Sequence, residues 1–224
     1  TRLAEGSGID PVALYERTGG NPFYVTEILG AGTMDVPPTV RWKDPTEPVT
    51  EADRAVNSFL VRHLRAAYPD YGVLAEESKD DLARLQRDHV WIVDPLDGTH
   101  NYAAGLPVWS VSIGLIDGGR PVLGVVHSPP LDLTYAAAAV TGVWRNGERL
   151  QPPPADALQR NDLVGDTVDP EGLCLTVPHK RRNLGSAALH GCWVMSGVFR
   201  AALFSKWALW DLAAVLCMAA ELEV

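Results

Sequence analysis

Apolar positions recur at helical spacing in the first third of the chain and alternate in its middle. Val56, Phe59, Leu60 and Leu64 repeat every three or four residues, which predicts a helix with one buried face. Pro45 and Pro48 exclude a helix before Val49, so Thr50 is read as the cap of a helix running to about Ala67. Gly72 to Glu77 reads as a short apolar strand ending in two acids. Trp91, Ile92 and Val93 form a β-prone run of the kind that ends a buried strand, and Pro95, with no N–H to donate, is expected to stop it. Val108 to Ile116 alternates, Asp117-Gly118-Gly119 signals a hairpin, and Pro121 to His127 is the return strand. Leu133 to Ala139 and Val143 to Leu150 continue the meander. Gly185 to Ala202 and Ala208 to Glu223 read as packed helices. A helix followed by hairpin-joined strands predicts α+β layering with a largely antiparallel sheet.

Two stretches do not fit this alternation. Residues 1–41 hold short helical patterns over Ile9–Arg17 and Phe23–Leu29, a glycine-rich break, and a linker-like Val36-Pro37-Pro38-Thr39-Val40-Arg41. Gln151 to Asp169 is rich in proline and acids and has no defined pattern. The expected division is an unrelated segment over 1–41, an α+β subdomain over 42–150 and a second, shortened α/β subdomain over 151–224.

Composition narrows the function classes. A chain of 224 residues buries about 70–75% of its unfolded surface and needs no disulfide staple. Its net charge of −9 argues against nucleic acid and anionic membranes as main partners. Cys174, Cys192 and Cys217 are odd in number and lack a C-x-x-C spacing, so reduced thiols in a cytoplasmic setting are expected. The histidines show no zinc spacing, and no apolar run reaches transmembrane length.

The chemistry concentrates in Trp91-Ile92-Val93-Asp94-Pro95-Leu96-Asp97-Gly98-Thr99. The order implied is a strand, a tight turn bearing two carboxylates, then free backbone N–H groups where a helix starts. Carboxylates suit a hard cation and the N–H groups suit an anion. A cation beside a phosphate is the arrangement of metal-assisted phosphoryl chemistry. Asp-Pro and Asp-Gly are also ordinary turn formers. Asp53 is a helix-cap carboxylate three residues after Thr50, and also one able to point back toward the strand ends. Glu76 and Glu77 are ordinary loop acids unless their strand neighbours the one ending at Asp94. Asp211 is a favourable charge in a first helical turn. Two carboxylates about 4 Å apart repel by roughly 4 kcal/mol at an effective dielectric near 20, so converging acids need cations. All-oxygen ligands select Mg²⁺, Mn²⁺ or Ca²⁺ over zinc.

From about Lys43 to Ala214 the chain resembles the inositol monophosphatase family of magnesium-dependent, lithium-sensitive phosphatases. The matching words are Val49-Thr50-Glu51-Ala52-Asp53, Ala75-Glu76-Glu77-Ser78, the central nonamer, Gly185-Ser186-Ala187-Ala188-Leu189 and Trp210-Asp211-Leu212-Ala213-Ala214. The resemblance implies an α/β fold of the layered αβαβα sugar-phosphatase type. It implies that Glu76, Asp94 and the carbonyl of Leu96 hold one Mg²⁺, and that Asp94, Asp97 and Asp211 hold a second, with two or three ions in all. Gly98 and Thr99 would bind phosphate oxygens, with Ser186 and Ala187 also on the substrate. Asp53, Glu76 and Thr99 would be catalytic, Asp53 with Thr99 orienting the attacking water. The partner implied is a small phosphorylated metabolite such as inositol monophosphate, with a homodimer as the family-like assembly.

Departures from the pattern keep other readings open. Phe204 stands where inositol-specific members carry an acid, and His100 follows Thr99 where relatives often carry Thr or Lys. Asn101-Tyr102 and Gly105-Leu106-Pro107-Val108-Trp109 also resemble histidinol-phosphate phosphatases of the same family, and a nucleotide bisphosphate is a further candidate substrate. Arg17 to Glu27 and Val36 to Arg41 resemble a lid fragment of signal-transduction ATPases, without the phosphate loop of an ATPase. A chain ending at Val224 is expected to be truncated at its C-terminus relative to the family, which leaves a chimeric binding module as the rival of a different class.

Overall fold

The computed structural model describes residues 40–44, 47–80, 82–154, 156–167, 180–205 and 207–224. The helices expected over 9–29, and Cys174, lie outside the described residues.

Two short strands, β1 (Val40–Asp44) and β2 (Glu47–Thr50), pair as an antiparallel hairpin. The stretch read as a linker therefore ends in a strand. The hairpin runs directly into α1 (Glu51–Ala67). Asp53 Oδ2 accepts the Thr50 N–H at 2.8 Å, and the Asp53 N–H lies 3.4 Å from Thr50 Oγ1. That reciprocal pair is the expected capping box, and it sets the start of α1.

The main sheet has seven strands in sequential order: β3 (Gly72–Ala75), β4 (His89–Asp97), β5 (Ser110–Asp117), β6 (Arg120–Ser128), β7 (Leu133–Ala138), β8 (Gly142–Arg145) and β9 (Glu148–Arg149). Only β3 and β4 run parallel; the rest is the predicted antiparallel meander, with Asp117 paired to Arg120 around Gly118-Gly119.

Pro95 does not stop β4, which continues to Asp97. Asp94 pairs with Ser112 and Asp97 with Ser110, so three steps along β4 oppose two along β5. The extra residue makes a bulge, where a residue without an N–H leaves no ladder bond unmade. Residues three apart on a regular strand face opposite ways. The bulge instead turns Asp94 and Asp97 to one face, alongside Ser112 and Ser110.

Alternation along β3 and β4 sends side chains into two helical layers. Val73, Ala75, Val93 and Ile113 pack on Leu60, Val61 and Leu64 of α1. On the opposite face, Leu74 and Ile92 meet Ala213 of α4 (Leu209–Leu222). Farther along that face, Val126, Tyr135, Ala137 and Val143 pack against α3 (Ala187–Met195) and α4 through Leu189, Met195, Val215 and Met218. The helix expected over 185–202 stops at Met195, and the chain turns into β12 (Ala201–Leu203). A second, parallel sheet packs beyond α3 in the order β11 (Lys180–Arg182), β10 (Leu163–Asp166), β12. Its central strand lies in the stretch that shows no pattern in the sequence. The described layers are thus α, β, α, β.

Helix α4 sits unusually close to the sheet. Gly114 and Gly124 are paired across β5 and β6 beneath it. A Cβ on Gly124 would fall 2.3 Å from the Ala214 carbonyl oxygen, and one on Gly114 2.8 Å from Ala213 Cβ. Two absent side chains therefore let the start of α4, with Asp211, settle against the end of β4. No helix among the described residues is long and apolar enough to cross a membrane.

Candidate active site

The acids singled out in the sequence converge at the C-terminal end of β4. Asp94 and Asp97 are buried, at 2% and 7% exposure. Glu76 directly follows β3, which pairs with β4, and its N–H donates to Val93 O at 3.1 Å. The loop carrying Glu76 is fastened to α1 by Asn57 Nδ2, which donates to Ser78 Oγ at 2.9 Å.

The electrostatics show how tightly these groups crowd. The Asp94 carboxyl is pushed well above its ordinary pKa, first by burial and then by the charges of Glu76, Asp97 and Asp211. Asp97 is raised to about 6, chiefly by burial, while hydrogen bonds from Ser186, Ala187 and Ala188 pull the other way. Asp211 is also raised by burial, against the Ala208 N–H that its Oδ2 accepts at 2.6 Å. Among the described residues no ion pair reaches Asp94, Asp97 or Asp211.

Each carboxylate is also aimed. Asp94 Oδ1 accepts the Leu96 N–H at 2.9 Å. Asp97 lies at the N-terminus of α3: Ala187 N–H donates to Oδ1 at 3.0 Å, Ala188 N–H to Oδ2 at 2.9 Å, and the Ser186 hydroxyl to Oδ2. Ser110 Oγ adds a long 3.4 Å contact to Oδ2. Asp53 divides its work: Oδ2 caps α1, and Oδ1 accepts from Thr99 Oγ1 at 3.0 Å. Thr99 Oγ1 stands equally 3.0 Å from Leu96 O. A hydroxyl has one proton, so those two acceptors share it.

Gly98 precedes the short helix α2 (Thr99–Ala103) with φ of +97°, and a Cβ there would lie 2.9 Å from Val108 O. Only glycine fits this turn without strain. The first N–H groups of α2 have no partner inside the helix.

The structure thus brings together Asp53, Glu76, Asp94, Leu96, Asp97, Gly98, Thr99, Ser186, Ala187 and Asp211. Ser186 and Ala187, expected on the substrate, have their donors on Asp97. Ser110, Ser112 and Asn101 escaped the sequence reading as site residues. Ser110 and Ser112 are two buried hydroxyls on one face of an otherwise apolar strand, which was the available signal. Asn101 Nδ2 donates to Val108 O at 2.6 Å and to Leu184 O at 2.7 Å, tying α2 to the entry of α3.

The donor set suits a hard divalent cation. It is all oxygen, Asp94, Leu96 and Asp97 are buried while Glu76 and Asp211 are half-buried, and the charges of Glu76, Asp97 and Asp211 all bear on Asp94. Ser112 Oγ, opposite Asp94, is buried with no hydrogen bond among the described residues. Among the described residues no three acidic, histidine or cysteine side chains are drawn close enough to hold an ion as they stand. Asp97 and Asp211 are turned instead onto backbone donors. The mutual field on Asp94 weighs more than that spacing, because a carboxylate's last rotation is soft while its place on the strand is not.

Fold and site together define a layered α/β protein with a cluster of carboxylates at a strand end and two helix starts beside it, a layout suited to phosphoryl transfer. Residues 35–222 match the inositol monophosphatase family, and the chain belongs to it. A fructose-1,6-bisphosphatase/inositol-1-monophosphatase from Thermotoga maritima is 37% identical over 182 residues, covering 77% of this chain and 68% of that protein. Inositol monophosphatase 1 from Sus scrofa is 31% identical over 185 residues, covering 75% and 66%. The chain thus spans about two thirds of the length of these relatives. A crystal structure of an IMPase/NADP phosphatase complexed with NADP and Ca²⁺ matches with a TM-score of 0.70 at 25% identity, covering 78% of this chain and 70% of that one.

Proposed function

We propose that the chain is a divalent-metal-dependent phosphomonoesterase, with Mg²⁺ as its ion, acting on a small sugar or polyol phosphate such as inositol monophosphate. The observation that carries this reading is Asp94, buried at a strand end and raised by burial and by three neighbouring acids, with no ion-pair partner among the described residues. Glu76, Asp94, Asp97, Asp211 and the Leu96 carbonyl would hold the metal. When bound, it supplies positive charge to the developing charge on the phosphoryl and leaving oxygens.

The chain's own residues then have definite tasks. With the Leu96 carbonyl given to the metal, Thr99 would donate its hydroxyl proton to Asp53 Oδ1, which leaves the Thr99 oxygen as an acceptor. A water held there is oriented for in-line attack, and its proton passes to Thr99 Oγ1 as the Thr99 proton moves to Asp53 Oδ1. The Gly98 and Thr99 N–H groups would seat the phosphate oxygens. Ser186 and Ala187 act on the substrate through Asp97. The buried free thiols of Cys192 and Cys217 suit a reducing, cytoplasmic setting. Competition of Li⁺ for the same oxygens belongs to this reading.

The test is phosphate release from inositol 1-phosphate, fructose 1,6-bisphosphate, NADP and histidinol phosphate, with and without Mg²⁺ and Li⁺. Mg²⁺-dependent, Li⁺-sensitive release is expected, and Asp94→Asn should lower it about a thousandfold, roughly 4 kcal/mol of barrier. Release that ignores Mg²⁺ or survives Asp94→Asn would overturn the reading.

A further inference from the structure

His190 lies in α3 with no solvent exposure, and neither the metal nor the phosphate reading uses it. Its Nε2 stands 3.1 Å from the Leu184 nitrogen. A backbone N–H only donates, so Nε2 is the unprotonated acceptor and the ring proton sits on Nδ1. That Nδ1 is buried and makes no hydrogen bond among the described residues. A buried donor left unmade costs about 1–3 kcal/mol, so what keeps the ring in place is the work of Nε2.

The surroundings hold the ring neutral. Phe199 and Trp193 pack around it, with ring centroids 5.5 and 6.2 Å away, and Gly165 presses on it from β10. Burial pushes its pKa down to about 4, against an opposing pull from Asp166. Asp166 is itself held by two bonds from Arg181, at 2.7 and 3.1 Å.

Leu184 is the point where the chain turns toward the site. His190 takes its N–H, and Asn101 of α2 donates to its carbonyl at 2.7 Å. Two residues later Ser186 caps α3, accepting the Leu189 N–H at 3.2 Å, while Ser186, Ala187 and Ala188 all donate to Asp97. A cap alone fixes the first turn of a helix but not the direction from which the chain enters it. Natural helices often fix that direction with an apolar contact between the residue before the cap and the second turn. Here a hydrogen bond from the second turn does it.

We propose that His190 is a positioning residue: it pins Leu184 from inside α3, with Asn101 on the other side, and so aims Ser186, Ala187 and Ala188 at the metal-binding carboxylate of Asp97. The inference rests on the metal-dependent reading of the site. The test compares wild type, His190→Leu and His190→Gln in the full chain. His190→Leu removes the acceptor at similar volume, and the Gln amide oxygen restores one near the place of Nε2. Three quantities are read: amide exchange over residues 183–189 without metal, the Mg²⁺ concentration for half-maximal phosphate release, and KM for the ester.

His190→Leu should speed exchange and raise the Mg²⁺ requirement, each about tenfold, the worth of one hydrogen bond. KM should move less than either, and His190→Gln should recover most of both changes. Should His190→Leu not fold, His190→Asn takes its place, because its shorter amide does not reach Leu184. Exchange and Mg²⁺ requirement unchanged in the acceptor-free variant, or His190→Gln as impaired as His190→Leu, would overturn the proposal. Wild type that releases no phosphate with Mg²⁺ would instead refute the metal-dependent reading and the Mg²⁺ part of this one, while the exchange data still decide the pin.

Discussion

The two ends of the nine-residue strand β4 obey different rules. At the N-terminal end, Trp91 and His89 pack with Tyr68 and Tyr71: Tyr71 is stacked on His89 at 4.5 Å, and Tyr68 is tilted against Trp91 at 5.2 Å. His89 also pairs with Asp117 at 3.4 Å near solvent. This is aromatic packing that covers the buried Trp91 at a partly exposed edge, a stabilising arrangement. At the C-terminal end the same strand carries a bulge, a left-handed glycine after it, and buried carboxylates that repel one another. Those features cost stability, and proteins keep such costs where chemistry is done. The difference teaches that a single strand serves as scaffold at one end and as site at the other.

Three measurements break or sharpen that contrast. The largest effect is expected from Asp97→Asn without divalent ions. Asp97 has a folded pKa of about 6, above the unfolded value, so the wild type folds with its proton retained. As pH rises from about 4 through about 6, the unfolded chain gives up this proton while the folded wild type retains it, so the wild type loses stability; the variant does not. The stability of the variant relative to wild type should therefore climb by up to about 3 kcal/mol over that window and stay level above it. Denaturant unfolding at several pH values checks this, and a flat difference would show that Asp97 is not strained. Adding Mg²⁺ above pH 6 should raise wild-type stability more than that of the variant.

Next comes Gly124→Ala. Its Cβ would sit 2.3 Å from the Ala214 oxygen, so α4 must lift. Overpacking of this kind costs about 1–3 kcal/mol. Because Asp211 rides on the same helix, the Mg²⁺ requirement should rise as well; a loss of stability with metal response intact would separate the helix contact from the site. The smallest effect belongs to the other end. Tyr71→Ala should cost about 1 kcal/mol, that of an aromatic pair, and leave phosphate release per folded molecule unchanged. A fall in turnover there would show that the scaffold end is coupled to the site.

Much of the site was legible because its signals are local. Thr50 and Asp53 announce a cap within one helical turn, and both ends of that bond lie where the spacing puts them. The meander was legible for the same reason, since hairpin strands are neighbours in sequence. The parallel sheet was not, because β10 pairs with strands on either side that come later in the chain, and its short run shows no alternation. Pro95 misled because the rule that proline ends a strand assumes a ladder bond is needed there, and the bulge removes that need.

By itself, the sequence determined which residues are candidates for the proposed chemistry, namely the acids, the glycine at the turn and the caps, and which apolar faces bury β4. Those properties belong to a residue and its near neighbours. Only the tertiary structure decided which donors each acid receives. Ser186 meets Asp97 across 89 residues, Asp211 is lowered onto the strand by two missing side chains in β5 and β6, and a one-residue bulge turns Asp94 and Asp97 to the same face. Such meetings depend on how layers pack at distances of a few ångströms, and packing of that kind leaves no periodic trace along the chain.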